Sequence, residues 1–225
     1  MKESFREYLT GLLRDDGDED ILNGFNRYFD RMAAQANSAM EGASRVKEIV
    51  SNLKSFSRQD CGELQKSKLG AGLKSTLKLV KANYKDKVDF VCDIQDDPEL
   101  RCSAPELNQV FMNLMINACQ AMVVGAEEFN QLQIIMRQQG NNLLISFDDN
   151  GVGMSGKVKS HIFEPFFTTK PEGDGTGLGL SISFGIVERH GGHFELTSEE
   201  GRGTTMVLYL PLTLKNSGID ESVSG

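Results

Sequence analysis

One uninterrupted helical pattern occupies the first quarter of the sequence and limits how the chain can fold. Between Glu19 and Ser57 there is no proline, and apolar residues recur at alternating steps of three and four positions. The residues of this stripe are Leu22, Phe25, Phe29, Met32, Ala36, Ala39, Ala43, Val46, Val50 and Leu53. A repeat this long is typical of a helix that packs in a coiled-coil-like bundle.

The length of this helix predicts a partner. Roughly 38 residues form a rod of about 57 Å, which one small domain cannot cover. A shorter helical pattern over residues 3–14, before an acidic turn, would reach along only about 18 Å of it. The remainder needs helices from a second copy or from a longer first helix. We therefore expect residues 1–60 to form a helical hairpin in a homodimeric four-helix bundle.

Beyond Cys61-Gly62 the pattern changes to a mixture of helices and short strands. Helical spacing is found at 69–84, 105–124 and 177–190. Strand patterns are found near 88–94, 131–138, 142–149, 193–198 and 204–210, with a strong hairpin signal at Gly140-Asn141. This mixture predicts an α+β fold over residues 61–215, a two-layer α/β sandwich with a mixed, mostly antiparallel sheet. The polar tail 216–225 is expected to be disordered.

Charge and cysteine content exclude several classes of protein. The net charge of −8 argues against a general nucleic-acid-binding protein, which would show a basic face. The four cysteines are scattered without metal-binding spacing, and we interpret them as reduced thiols. No apolar run approaches membrane-spanning length and no signal-peptide pattern is present. We expect this segment to make no membrane contact and to be cytoplasmic.

Two glycine-rich loops indicate a nucleotide site. The first, Asp149-Asn150-Gly151-Val152-Gly153, follows a strand pattern and opens with carboxylates. The second, Gly175–Leu180, opens a helix. A carboxylate at a strand end can accept a hydrogen bond from a base amine, and a glycine run at a helix N-terminus can bind phosphate. The two loops together favour a purine nucleotide.

These loops belong to a series of five motifs in the same order as in a known family. Asn113–Ala118 resembles its N box, Asp149–Gly153 its first glycine box and Phe163–Lys170 its F box. Gly175–Leu180 resembles the second glycine box and Gly201–Thr205 the last. Residues 100–211 thus resemble the ATP-binding domain of sensor histidine kinases, within the GHKL ATPases, and Ser44–Arg58 resembles the second helix of their dimerisation and phosphotransfer hairpin.

The resemblance implies a bound ATP and a magnesium ion, Mg²⁺. Asn117, with Asn113 as the weaker candidate, would coordinate Mg²⁺ through side-chain oxygens. Asp149 would accept from the adenine amine, although the adjacent Asp148 leaves the choice open from spacing alone. Further nucleotide contacts are expected at Gly151, Gly153, Phe167, Thr169, Lys170, Gly175, Thr176, Gly177, Leu178, Gly179, Leu180 and Thr204.

Residues 154–176 would form a lid over ATP. Lys170 is a candidate catalytic cation for the terminal phosphate, and a solvated lysine is nearly as well supported. Phe163, Phe166 and Phe167 are interpreted first as lid anchors, and Thr204 as a water-mediated adenine contact or a plain strand residue. We expect His190 to serve structure at the end of a helix through its dipole.

The expected chemistry is phosphoryl transfer. Related ATPases carry a glutamate base one turn before the N-box asparagine, where this chain has Asn113. An asparagine cannot accept a proton at neutral pH, which favours phosphoryl transfer to an acceptor over hydrolysis. The resemblance implies that this acceptor is a histidine, which then passes the phosphoryl group to a response regulator receiver domain.

No histidine precedes His161, so the usual acceptor position is missing. We hypothesise that the sequence is a piece of a longer sensor kinase, starting just after the acceptor and unable to phosphorylate itself. The alternatives are phosphorylation of a histidine in trans, a non-catalytic ATP-binding dimeric signalling module, or a GHKL ATPase.

Overall fold

The structure is a computed structural model, and it describes residues 24, 26–40, 42–43, 64–125, 129–171 and 175–213. The chain divides into two compact units, Met1–Ser51 and Asn52–Gly225. In the first unit every described residue between 24 and 43 is helical, in agreement with the apolar repeat. The helix predicted over 3–14, the boundary near residue 60 and the tail 216–225 lie outside the described residues. None of the helices described is both long and apolar enough to cross a membrane.

The second unit alternates helices and strands in the described ranges. In chain order they are β1 (Gln65–Ser67), α1 (Gly70–Tyr84), β2 (Asp89–Ile94), β3 (Leu100–Cys102), α2 (Ala104–Gly125), β4 (Gln131–Gln139), β5 (Asn142–Asp149), α3 (Gly156–Lys159), α4 (Gly179–Arg189), β6 (His193–Glu199) and β7 (Gly203–Pro211). The three long helices and five longer strands agree with the predicted ones. The small β1–β3 ribbon and the short α3 were not predicted.

Five strands form one mixed sheet in the order β2-β4-β5-β7-β6. Only the β2–β4 pair is parallel, and the other three pairs are antiparallel, as predicted. The β4–β5 hairpin turns at Gly140, whose φ of 58° lies in the left-handed region that glycine tolerates. In this register Asp149, the last residue of β5, stands opposite Thr204 of β7. The end of the central strand is thereby placed beside the last glycine motif.

The helices α1, α2 and α4 pack together with the sheet around one apolar core. Helix α2 contributes more residues to this core than any other described element, because its apolar residues point to more than one side. Fully buried side chains of this core include Leu73, Leu107, Phe111, Met115, Ile134, Ile145 and Ile186. Burial of this apolar area is the main stabilising term for the domain. It also fixes the position of α2, against which the glycine loops pack.

His190 joins the end of α4 to the start of α2. It is buried, its Nε2 accepts from the Ser103 backbone N–H at 2.9 Å, and its Nδ1 lies 2.7 Å from the Ile186 carbonyl oxygen. Because a backbone N–H can only donate, Nε2 must be the acceptor and Nδ1 carries the hydrogen. The structural role predicted for His190 is therefore performed by two hydrogen bonds rather than by a charge at the helix dipole.

Candidate functional site

The carboxylate of Asp149 occupies a buried position at the end of β5. The residue is only 9% exposed, and its Oδ1 accepts the Gly151 backbone N–H at 2.9 Å. Burial raises the pKa of Asp149 to about 6, although hydrogen bonds from the backbone of Gly151 and Thr204 lower it. A carboxylate removed from water gains from any further donor that reaches it. The position suits a ligand that presents an N–H group, such as the amine of adenine.

The neighbouring Asp148 lies on the opposite face of the sheet. It is exposed, and its Oδ1 accepts from the hydroxyl of Thr205. The two carboxylates diverge because successive side chains of a strand point to opposite faces. The geometry therefore separates the pair that spacing left open, and only Asp149 faces the candidate site.

Close backbone contacts explain the glycines of the first loop. A Cβ added at Gly151 would lie 2.8 Å from the backbone carbon of Ala121, and one at Gly153 only 2.0 Å from the Glu199 carbonyl oxygen. Gly153 also has a φ of 64°, which disfavours any residue with a side chain. The loop is thus wedged between α2 and the β6–β7 turn, where it holds Asp149 in place.

A serine that the sequence analysis missed connects this loop to β7. The hydroxyl of Ser198 accepts from the Met154 backbone N–H at 2.9 Å, and it lies 2.9 Å from both the Gly203 carbonyl oxygen and Thr204 Oγ1. Thr204 is therefore held next to Asp149 by a protein hydrogen bond. The signal in the sequence was its position, because a period of two continues the face of Phe194 and Leu196 to Ser198.

Helix α2 presents a row of amides at the other side of the site. Asn113 Nδ2 donates to the Gly179 carbonyl oxygen and to Ser183 Oγ, both at 3.1 Å. Asn117, one turn later, is half-buried and makes no side-chain hydrogen bond within the described part of the chain. Amide oxygens are ligands that Mg²⁺ accepts, so Asn117 fits that role. The role in Mg²⁺ coordination remains a prediction for both residues, and Asn113 has only its Oδ1 left for it.

The start of α4 is a candidate phosphate-binding position. Leu178 precedes the helix without a side-chain cap, and its N–H reaches only the hydroxyl of Thr176 at 3.4 Å. The first intrahelical bond is made by Ile182, so the N–H groups of Gly179 and Leu180 find no acceptor in the described residues. Unpaired amides at the positive end of a helix dipole attract anions. This local geometry agrees with the role predicted for the second glycine loop.

The phenylalanines of the F box pack mainly on protein. The ring of Phe163 lies 5.0 Å from that of Phe184 and 5.6 Å from that of Phe194, and Phe167 stacks on His161 at 5.7 Å. Phe163 and Phe167 thus anchor the loop, as interpreted from the sequence. Phe166 differs, since it is 68% exposed and has a φ of 68°.

Lys170 lies at the end of the F box and contacts α2. Its Nζ donates to Gln120 Oε1, and its backbone N–H donates to Thr168 Oγ1 at 3.2 Å. Thr169 is exposed beside it. Lys170 is therefore held against the protein in this structure, which disfavours the interpretation of a plainly solvated lysine.

No cluster of three or more His, Cys, Asp or Glu side chains that suits a metal ion occurs among the described residues. Burial raises the pKa of Cys119 to about 12, and it raises the pKa values of Cys92 and Cys102 as well. Thiolate ligands are disfavoured at such values. A cation at this site would depend on amide and phosphate oxygens.

Three comparisons with known proteins agree with this geometry. The family described as "Histidine kinase-, DNA gyrase B-, and HSP90-like ATPase" matches residues 102–214, about half of the chain. Sensor histidine kinase ZraS of Escherichia coli K12 is 31% identical over 202 residues, covering 86% of this chain and 42% of ZraS. Sensor kinase CckA of Brucella abortus is 29% identical over 237 residues, covering 99% of this chain and 24% of CckA.

A solved structure gives the same answer for the fold. The nucleotide-free catalytic domain of histidine kinase ThkA superposes with a TM-score of 0.59 and 27% identity, covering 67% of this chain and 97% of that one. The chain spans less than half the length of the two curated relatives. It belongs to the histidine kinase, DNA gyrase B and HSP90-like ATPase family, and it contains the GHKL ATP-binding domain of a sensor histidine kinase.

Proposed function

We propose that this chain binds Mg-ATP and transfers the terminal phosphoryl group to a histidine, from which a response regulator receives it. The observation that carries the proposal is the chemistry of α2 beside the start of α4. The helix offers amides there, and its single carboxylate, Glu106, pairs instead with Arg189 at 3.1 Å. The site can position a nucleotide and neutralise its charge, but α2 provides no base for water.

Each part of the nucleotide has a matching protein group. Asp149 accepts a hydrogen bond from the adenine amine, and the backbone amides at the start of α4 bind phosphate. Asn117 supplies an oxygen to Mg²⁺, which when bound neutralises the charge of the phosphate groups. The glycine loop at Gly151 and Gly153 packs against α2 and the β6–β7 turn, and this packing holds Asp149 in place to meet the base.

Asn113 supports transfer over hydrolysis for a second reason. Its Nδ2 already donates to Gly179 and Ser183, which fixes the orientation of the amide. An amide so held neither accepts a proton nor turns to orient water. An imidazole acceptor needs no such base, since it is a nucleophile near neutral pH.

We infer that the acceptor is none of the three histidines of this chain, and that the chain alone does not autophosphorylate. His190 is buried with both ring nitrogens engaged. The Nδ1 of His161 lies 2.8 Å from the Lys157 carbonyl oxygen, and its ring stacks on Phe167. His193 stacks on Tyr209 at 4.6 Å on the open face of the sheet. The contacts of all three histidines stabilise the fold, and none places an imidazole at the proposed phosphate position.

The helix between residues 24 and 43 supports a homodimer. Its large apolar side chains are exposed within the described residues: Tyr28 (65%), Phe29 (40%), Met32 (51%) and Met40 (71%). A second copy of the helix would cover such a stripe in a bundle. We place the dimer in the cytoplasm, where ATP and receiver domains are found.

Phosphate transfer from labelled Mg-ATP to an added helical hairpin that carries a histidine tests the proposal. We expect label on the hairpin with the wild-type chain and none with Asn117→Ala. Without the hairpin, the chain should remain unlabelled. Bound ATP without transfer would instead identify a non-catalytic ATP-binding module, and phosphate release without labelling would identify an ATPase.

A further inference from the structure

The contact between Lys170 and Gln120 places a cation beside the amide row of α2. Lys170 Nζ donates to Gln120 Oε1. Gln120 follows Asn117 by three residues, so the two amides lie one helical turn apart on the same face. The lid lysine is thus held next to the residue proposed to coordinate Mg²⁺.

The end of the F box and the second glycine loop direct Lys170 to this place. The Phe166 backbone N–H donates to the Gly177 carbonyl oxygen at 3.0 Å, so residues 166–170 run beside 175–177. A Cβ added at Gly177 would lie 2.3 Å from the Phe166 carbonyl carbon, and one at Gly175 3.1 Å from Lys170 Cδ. Because the glycines leave room for this approach, the lysine stem is supported on one side by Gly175 and its ammonium is bound on the other by Gln120.

We propose that Gln120 is a positioning residue that holds the ammonium of Lys170 over the phosphate groups of the bound nucleotide. The inference rests on the proposed function, because it takes Mg-ATP as the ligand. An ammonium group has three N–H donors, so its bond to Gln120 is compatible with a bond to phosphate. An amide oxygen orients the lysine without cancelling its charge, whereas a carboxylate at position 120 would also repel the phosphates.

Contacts on the same face of α2 place a second positively charged group near Asn117. Asn113 ties the same face of α2 to the start of α4 through Gly179. The amides of α4 and the ammonium of Lys170 therefore lie on either side of Asn117 along this face of α2. The first group carries the partial positive charge of a helix N-terminus, and the second carries a full positive charge. A chain of phosphates lying along α2 would meet favourable charge at each end of this segment.

The test compares the affinities of Mg-ATP and of adenosine, a phosphate-free probe, in purified variants. Gln120→Met keeps the length of the side chain and removes the acceptor, Lys170→Met removes the cation, and the double variant combines them. Gln109→Met, in the same helix, is the matched control. We expect Gln120→Met to weaken Mg-ATP binding about three- to tenfold and Lys170→Met about tenfold or more, with adenosine unchanged. The double variant should match Lys170→Met, and the control should match the wild type.

Other results would overturn the inference. They are unchanged or tighter Mg-ATP binding in Gln120→Met, equal losses for Mg-ATP and adenosine, and additive losses in the double variant. Unchanged binding or additive losses would show that Gln120 does not act through Lys170. Equal losses for the two ligands would show that Gln120 only supports the fold. A wild-type chain that binds neither ligand would remove the proposed function itself, a result distinct from the other three.

Discussion

Replacement of Asp149 by asparagine is expected to stabilise the nucleotide-free protein while abolishing recognition of adenine. Burial raises the pKa of this carboxyl from an ordinary value of 3.8 to about 6. A difference of about 2 between the folded and unfolded pKa corresponds to about 3 kcal/mol at pH 7.5. Because the folded-state value is the higher one, ionised Asp149 destabilises the fold by this amount. Asparagine removes the charge and keeps an oxygen for the Gly151 N–H.

The sign of the effect gives a pH dependence. The destabilisation reaches its maximum above the folded-state pKa of about 6. It decreases as the pH falls through this pKa toward the pKa of the unfolded chain, 3.8. The advantage of Asp149→Asn in free energy of unfolding should thus shrink from about 3 kcal/mol at pH 7.5 to about 1.5 kcal/mol at pH 5.0. Urea denaturation without nucleotide at both pH values measures it.

Asp148→Asn provides the control for this experiment. Asp148 is exposed on the other face of the sheet and bonds to Thr205, so its replacement should change the free energy of unfolding little and leave ATP binding intact. An Asp149→Asn variant that is no more stable than the wild type at pH 7.5, or that has the same advantage at both pH values, would contradict a destabilising carboxylate at this position. Retention of ATP affinity in Asp149→Asn would refute the role in adenine recognition.

Three further changes probe other parts of the site. Asn117→Ala should weaken ATP binding at least about tenfold in the presence of Mg²⁺ and leave the thermal midpoint unchanged, as calorimetric titration with and without the ion would show. Gly153→Ala should destabilise the domain by about 2 kcal/mol or more in urea denaturation, because of its φ of 64° and the contact with Glu199; Gly156→Ala, in open space, is the matched control. The affinity of the wild type for ATP should fall as the pH drops below about 6, where Asp149 binds a proton, and binding measured from pH 7.5 to 5.0 would show no such fall if another group reads adenine.

Local patterns predicted most of this fold because most of its elements are long enough to show them. Strands β4 and β5 are nine and eight residues long, alternate over part of that length, and meet at Gly140-Asn141. The ribbon of β1 and β3 escaped notice, since each strand has three residues and their partners are distant in sequence. The short α3 is capped by Ser155, which accepts the Val158 N–H at 3.4 Å, and four residues show no helical period.

The alternation of apolar residues along β5 could have distinguished Asp149 from Asp148 before the fold was known. Leu143, Ile145 and Phe147 are buried on one face of β5, and a period of two continues that face to Asp149. The position of Lys170 was not available, because it depends on how the lid packs against a helix fifty residues earlier. Sequence spacing orders groups along one element, but contacts between elements require the fold.

Asn113 and Asn117 show why equal spacing does not imply equal roles. Both amides lie on one face of α2, and the family resemblance implied a role at Mg²⁺ for both, with Asn113 as the weaker candidate. In the fold, the start of α4 packs against the first, where Gly179 and Ser183 bind its nitrogen, while the second makes no such bond in the described residues. The same residue type thus joins two helices at one turn and faces the site at the next. Since Asn113 holds α4 where its amides can bind phosphate, a change there is expected to disturb both the packing of α4 and nucleotide binding, whereas a change at Asn117 should disturb binding alone.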